Sequence, residues 1–152
     1  MDNWRMKIIP FEPQHLLDIT PQKSQSSLER TPERAHQLAN YHSFTGVIDD
    51  RVVAIGGLVE LNPIRAYLYL IVTEDIPHQW TQLYRAARRL IAAGLNDYVR
   101  LETMSSFPEA ERWLELIGFE YEGTMRRAGP DGEDAKMYSI VRSGDAVYTG
   151  NK

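Results

Sequence analysis

The stretch from Glu102 to Gly123, ETMSSFPEAERWLELIGFEYEG, predicts a helix, both of its ends and the beginning of a strand. Ser106 and Glu109 have the S-x-x-E spacing of a capping box, which satisfies backbone N–H groups at a helix start. Gly118 is the residue type that most often ends a helix, because glycine adopts the left-handed conformation without steric cost. The sequence therefore predicts a helix over about 107–117, followed by a strand.

One face of this helix is apolar. Ala110, Trp113, Leu114 and Ile117 recur at i, i+3, i+4 and i+7, the spacing of residues on one side of an α-helix. We expect Trp113 and Leu114 to be buried beneath a sheet. Phe119 follows the helix-ending glycine, where a hydrophobic residue folds back on the last helical turn.

The other elements follow from hydrophobic periodicity and from turn signals. A strand, a helix and a second strand between 65 and 104 form a β-α-β unit, whose right-handed crossover predicts parallel pairing. The pair Gly56-Gly57 marks a bulge or a close backbone approach. The predicted strands cover 5–11, 44–48, 52–61, 65–73, 98–104, 119–127 and 136–142, and the further helices cover 13–19, 31–41 and about 83–95.

The pattern A-x-x-x-L-x-x-x-G-F, from Ala110 to Phe119, resembles the last helix-strand unit of the GNAT N-acetyltransferase superfamily. The element order β-α-α-β-β-β-α-β-α-β-β over about Arg5 to Arg142 is also the order of that fold. The resemblance implies an α/β (α+β) single-domain GNAT-like fold, with a mixed twisted sheet of about seven strands and helices on both faces. We expect this domain to cover 1–142 and a C-terminal tail to cover 143–152.

Within that superfamily the chain resembles the short internal virion proteins encoded by tailed phages. Two segments carry this narrower resemblance: VTEDIPHQW at 72–80, which contains no glycine, and ERWLELIGF at 111–119. The resemblance implies a catalytically silent protein of phage particle assembly or of the virion interior, which acts through protein–protein contacts.

Acetyl transfer from acetyl-CoA needs a cradle for the pyrophosphate, a base and an acid. GNAT members build the cradle from a [Q/R]-x-x-G-x-[G/A] loop, whereas the corresponding segment 73–81 has no glycine. Pro77 lacks an N–H donor, and Glu74 with Asp75 places two carboxylates where an anion would bind. We therefore expect no cofactor. If acetyl-CoA does bind, the resemblance implies contacts from Ile71, Val72, Thr73, His78, Gln79 and Thr81.

The catalytic positions also depart from the family pattern. The resemblance implies a tyrosine acid at the position of Leu114, and an asparagine at the position of Phe107. Glu60 is the candidate base, near the splayed strands where family members often keep one. Its alternative interpretation is an exposed glutamate at a strand end.

Exposed aromatic and basic residues suggest a contact surface on the helix after the central strand. Trp80 is the expected anchor, because tryptophan is enriched among residues that dominate interface energetics. Arg85, Arg88 and Arg89 form a basic strip there, for which the alternative is a solvated helix face. We expect virion or assembly proteins as partners, or a homo-oligomer.

Composition restricts the remaining classes of function. The chain has 152 residues, 43% of them hydrophobic, no cysteine and a formal net charge of −4. These values predict one globular domain without disulfides, and they give no electrostatic drive toward nucleic acid or an anionic membrane. The four histidines have no metal-ligand spacing, so no metal site is expected. Without an apolar run or leader, we expect the host cytoplasm or the virion as its location, or otherwise the cytoplasm.

Two hypotheses of function follow. The first is the GNAT-fold phage protein without cofactor chemistry. The second is an acyl-CoA-dependent N-acetyltransferase with an atypical cofactor loop. The segment 73–81 distinguishes them, because only the second hypothesis requires it to accommodate a cofactor.

Overall fold

A computed structural model describes residues 5–25, 28–75, 80–105 and 108–143. The strands in these residues are β1 Lys7–Ile9, β2 Ser43–Ile48, β3 Arg51–Asn62, β4 Arg65–Val72, β5 Arg100–Ser105, β6 Glu120–Met125 and β7 Ala135–Val141; the helices are α1 Pro13–Asp18, α2 Pro32–Leu38, α3 Trp80–Asp97 and α4 Pro108–Ile117. The seven strands of the described residues lie in the order β1-β2-β3-β4-β5-β7-β6, which confirms the predicted mixed sheet.

The chain divides into two compact units. The first contains Met1–Val59 and Leu68–Leu90, and the second contains Glu60–Tyr67 and Ile91–Lys152. β3, β4 and α3 each contribute residues to both units. No helix in the described part of the chain is long and apolar enough to cross a membrane.

The first unit begins with antiparallel strands β1, β2 and β3. β2 and β3 are joined at Asp49 and Asp50, which have φ values of 55° and 64°, as a type I′ hairpin turn requires at both central positions. Thr31 caps α2, because its hydroxyl accepts a hydrogen bond from the Arg34 N–H at 3.2 Å. The core of this unit joins α1, α2, β3 and β4 through Leu16, Ile19, Ala35, Leu38, Val52, Ile55 and Ile71.

The Gly56-Gly57 pair in β3 allows aromatic rings to approach the backbone closely. A Cβ atom on Gly56 would lie 2.6 Å from ring carbons of Phe44, and one on Gly57 would lie 2.5 Å from the Tyr69 hydroxyl oxygen. The prediction of a close approach is therefore confirmed, whereas the register shift in this hairpin lies between Gly46 and Val47.

The second unit contains the parallel pair of the sheet. Arg65 of β4 is in register with Arg100 of β5, and Tyr67 with Glu102, as the β-α-β pattern predicts. β5 pairs antiparallel with β7, and β7 with β6. β5 begins at Arg100 rather than at Tyr98, because Tyr98 still belongs to the turn that follows α3.

α4 ends as its sequence predicts. Gly118 has a φ of 113°, its N–H donates to the Glu115 carbonyl at 3.1 Å, and the Phe119 N–H donates to the Leu114 carbonyl at 3.0 Å. These two bonds define a Schellman motif. Phe119 and Leu114 are buried, but Trp113 is only half-buried, which corrects the expectation of full burial. Trp113 lies at the flank of the apolar stripe, where part of its large ring reaches water.

Candidate functional site

The carboxyl end of β4 carries three of the residues that were predicted to contact a cofactor. Ile71, Val72 and Thr73 are all buried in the first unit. The Thr73 N–H donates to the Val53 carbonyl of β3 at 3.0 Å, so this backbone group completes the pairing with the neighbouring strand. Side chains at this point have fixed positions because both strands are part of the core.

The two carboxylates after β4 bind groups of the first unit. Glu74 accepts a hydrogen bond from the Lys23 N–H at 3.0 Å, and Asp75 forms an ion pair with Arg51 at 2.8 Å. Thr73 also donates its hydroxyl proton to Asp75 at 2.9 Å. The hydrogen bond from Arg51, followed by that from Thr73, lowers the pKa of Asp75. Both carboxylates therefore have partners within the first unit, and the expectation that they occupy an anion site at the start of α3 stays a prediction.

A glutamine side chain covers one edge of β4. Gln25 Nε2 donates to the Leu70 carbonyl at 2.6 Å, and Gln25 Oε1 accepts from the Val72 N–H at 3.0 Å. The Gln22 N–H donates to the Val72 carbonyl at 2.9 Å. Leu70 and Val72 point their backbone groups to one edge, whereas Thr73 points to the other edge and pairs with β3. The turn at Lys23–Gln25 therefore occupies the edge of β4 that faces away from β3.

Tyr69 has a buried hydroxyl that finds no hydrogen-bond partner among the described residues. The ring lies against Gly57 and beside the core of the first unit. Burial raises the pKa of Tyr69 well above its ordinary value, against a smaller opposing effect of the Arg34 charge. The phenol therefore keeps its proton at neutral pH and can donate a hydrogen bond to an uncharged or anionic oxygen or sulfur.

Glu60 lies in the second unit and is exposed. Its Oε1 accepts a hydrogen bond from the Tyr98 hydroxyl at 2.8 Å, which fixes the carboxylate beside the amino end of β5. Ligands of open α/β sheets bind at the carboxyl ends of the parallel strands. Glu60 lies at the opposite, amino end, which argues against a role as the base. The assignment of Glu60 as the base stays a prediction.

A network of charged residues crosses the second unit. Glu102 accepts hydrogen bonds from Arg65 and from Arg100, each at 2.8 Å to Oε1. Arg100 also binds both carboxylate oxygens of Glu122 at 2.7 Å, and Ser139 donates to Glu122 at 2.6 Å. Arg65 is the main cause that lowers the pKa of Glu102. Since each guanidinium is held by a carboxylate, this network is suited to stabilising the sheet rather than to binding an anionic ligand.

The charged network predicts a loss of stability in acid. The hydrogen bond from Arg100, with that from Ser139, lowers the pKa of Glu122 from its ordinary 4.5 to about 2. A depressed folded-state pKa contributes stability that is present above 4.5 and is lost as the pH falls toward 2. Urea unfolding across this range should show a lower midpoint at each more acidic step. In Glu122→Gln the urea midpoint should fall less steeply with decreasing pH. If the midpoint falls as steeply as in the wild type, the ion pair of Glu122 with Arg100 is contradicted.

The residues of the predicted contact surface lie on α3. Thr81, Arg85, Arg88 and Arg89 are exposed, which also fits the interpretation of a solvated helix face. Trp80 begins α3, but its side chain lies outside the described part of the structure, as do His78 and Gln79. The described residues contain no cluster of histidine and carboxylate groups able to hold a metal ion.

Sequence reasoning missed Gln25 and Tyr69. A tyrosine in a strand usually places its hydroxyl at the rim of the sheet, and the close backbone approach predicted at Gly56-Gly57 is the signal that could have indicated a buried ring. Gln25 had no signal, because it stands in a polar segment and is separated from Leu70 by 45 positions in the sequence.

No protein-family profile and no curated protein sequence matches this chain. Solved structures do match it. A phosphinothricin acetyltransferase of the GNAT superfamily from Sinorhizobium meliloti, in complex with acetyl-CoA, has a TM-score of 0.73 at 14% identity, over 93% of this chain and 91% of that chain. The chain has the GNAT fold.

Two further structures support this fold. An N-acetyltransferase from Staphylococcus aureus has a TM-score of 0.68 at 15% identity, over 90% of this chain and 97% of that chain. A GNAT-family acetyltransferase from Bacillus anthracis has a TM-score of 0.64 at 17% identity, over 90% of this chain and 95% of that chain. At these identities the GNAT likeness concerns the backbone, so the activity must be argued from the residues of this chain.

Proposed function

We propose that this GNAT-fold protein is an acyl-CoA-dependent N-acetyltransferase with an atypical cofactor loop. The observation that carries the proposal is made at the edge of β4. There the Leu70 carbonyl and the Val72 N–H bind the side-chain amide of Gln25, which shows that this edge can bind an amide. The pantetheine arm of an acyl-CoA carries two amides along an extended chain. Such a chain can add to a strand edge by main-chain hydrogen bonds.

The charges around this edge support the proposal. Asp75 is paired with Arg51 and Glu74 accepts a hydrogen bond from the Lys23 N–H, so each carboxylate has a partner that offsets part of its repulsion of an anion. The segment 76–79, which includes Pro77, lies outside the described residues. The absence of glycine in 73–81 is why we describe the cofactor loop as atypical.

Acetyl-CoA would supply an activated acetyl thioester. In the reaction the amine nitrogen forms a bond to the thioester carbon, the carbon–sulfur bond breaks, the ammonium loses a proton and the thiolate gains one. We propose Tyr69 as the donor to the thioester oxygen or the departing sulfur, since its hydroxyl is protonated and otherwise unpaired among the described residues. Leu114 supplies no acid, because its side chain is apolar.

Binding and turnover of acetyl-CoA by the full chain test this function. We expect titration calorimetry to give saturable heat in the micromolar range, and mass spectrometry to detect acetylated product from at least one member of a panel of polyamines, amino acids and peptides. ADP is the control for binding through the nucleotide alone. No heat and no product at millimolar acetyl-CoA would refute the proposal.

Glu60→Gln tests the candidate base separately. If Glu60 removes the proton from the amine, kcat should fall by about 10²-fold or more, because general bases contribute that much. An unchanged kcat would agree with its place at the amino end of β5.

The phage virion role stays a prediction, and the solved structures named above give it no support.

A further inference from the structure

The turn at Gln22–Gln25 bears on cofactor access to β4. It makes three hydrogen bonds to one strand edge, two through the Gln25 side chain and one through the Gln22 N–H. The Gln25 amide thereby binds a carbonyl and an N–H that lie two residues apart, as a residue of a neighbouring strand does. All of these groups belong to the first unit.

We propose that Gln25 is an internal occupant of an amide-binding edge on β4 and that an acyl-CoA must displace it. This inference rests on the proposed function. A primary amide such as that of Gln25 can donate and accept on the same side. A trans secondary amide directs its N–H and C=O to opposite sides, so two successive amides are needed to replace Gln25. The arm of an acyl-CoA has two.

Another bond of the turn does not involve Gln25: the Lys23 N–H donates to Glu74 at 3.0 Å, just after β4. Gln22 Nε2 donates to Gln25 Oε1 at 3.5 Å within the turn itself. Displacement therefore requires the Gln25 side chain and the Gln22 N–H to leave the strand, and it leaves the Lys23 contact intact. The free protein must break its own bonds to the β4 edge before the acyl-CoA can bind there. Its apparent affinity for the acyl-CoA is therefore lower than it would be if the edge were uncovered.

Gln25→Ala should tighten acetyl-CoA binding about fivefold, which corresponds to two net hydrogen bonds at the low end of their usual range. Gln25→Asn is the second variant, because its shorter side chain keeps the amide but cannot span both backbone groups. Gln14→Ala is the matched control, since Gln14 is an exposed glutamine whose side chain donates to Asp18 at 2.8 Å. Titration calorimetry of each full-length variant gives the affinity.

Hydrogen exchange at the Val72 amide, measured by NMR without ligand, provides an independent readout. The Val72 N–H should exchange faster in Gln25→Ala than in the wild type, and Gln14→Ala should leave it unchanged. Equal exchange in all three proteins would overturn the assignment of Gln25 as the occupant of this edge.

The two experiments separate the possible failures. Tighter binding by Gln25→Ala and Gln25→Asn supports both the internal occupant and the acetyltransferase function. Equal binding by wild type and both Gln25 variants supports the function but overturns the displacement. No binding of acetyl-CoA by any variant overturns the proposed function, and with it the role of Gln25 in cofactor access.

Discussion

Glu102→Ala is expected to lower the free energy of unfolding by about 3 kcal/mol, because it removes a buried carboxylate that binds two guanidinium groups. The Glu102 side chain is only 7% exposed and holds both Arg65 and Arg100. The Arg65 side chain is 41% exposed, so water can hydrate its guanidinium when Glu102 is removed. We therefore expect a loss of stability at the lower end of the range for broken buried ion pairs. Urea unfolding at neutral pH measures the effect.

Glu122→Ala is the matched control for Glu102→Ala. Glu122 also binds Arg100, but its side chain is 39% exposed, so its removal should cost about 1 kcal/mol. If both variants lose the same stability, burial of Glu102 is not what makes its pairs important. A loss below about 1 kcal/mol in Glu102→Ala would mean that Arg65 is rehydrated without cost and that Glu122 alone suffices to pair Arg100.

Tyr69→Phe is expected to lower kcat for acetyl transfer by about 10²-fold, the usual effect of removing one hydrogen-bond donor to a developing negative charge. The same variant should keep or raise the stability of the protein, by about 1 kcal/mol, because it removes a buried hydroxyl without a partner among the described residues. Steady-state kinetics and thermal unfolding on one preparation measure both effects.

Tyr67→Phe controls for the loss of a strand tyrosine hydroxyl. Tyr67 shares hydrogen bonds with Thr103 and the Met104 backbone, so its replacement should reduce stability without a specific effect on kcat. A normal kcat in Tyr69→Phe would remove Tyr69 from the mechanism. A loss of stability in that variant would instead show that its hydroxyl has a partner in the folded protein.

Local sequence determined the elements whose signals lie within a few residues. The end of α4 depends on Gly118 and on the two carbonyls of the preceding turn, and the hairpin at Asp49-Asp50 depends on two residues that tolerate positive φ. The parallel pairing of β4 with β5 could be predicted because the crossover handedness of a β-α-β unit is nearly fixed. These features arise from short-range sterics and hydrogen bonds.

The candidate site could be predicted only in part. The sequence indicated the end of β4, and the structure places Ile71, Val72 and Thr73 there. The sequence suggested that Glu74 and Asp75 repel an anion, because it shows the sign of each charge. It does not show which groups pair with these charges. Their partners Lys23 and Arg51 lie far away along the chain.

Only the tertiary structure decided what covers β4. Gln25 meets Leu70 and Val72 across more than forty positions of sequence. The Tyr69 hydroxyl, which has no hydrogen-bond partner among the described residues, is placed by the packing of its ring against Gly57. The backbone N–H of Val72 and the hydroxyl of Tyr69 are present in any conformation of the chain. The sequence alone does not reveal which atom each of these groups will face in the folded protein. That choice depends on the packing of distant segments around a common core, where each buried polar group must be matched or left unpaired.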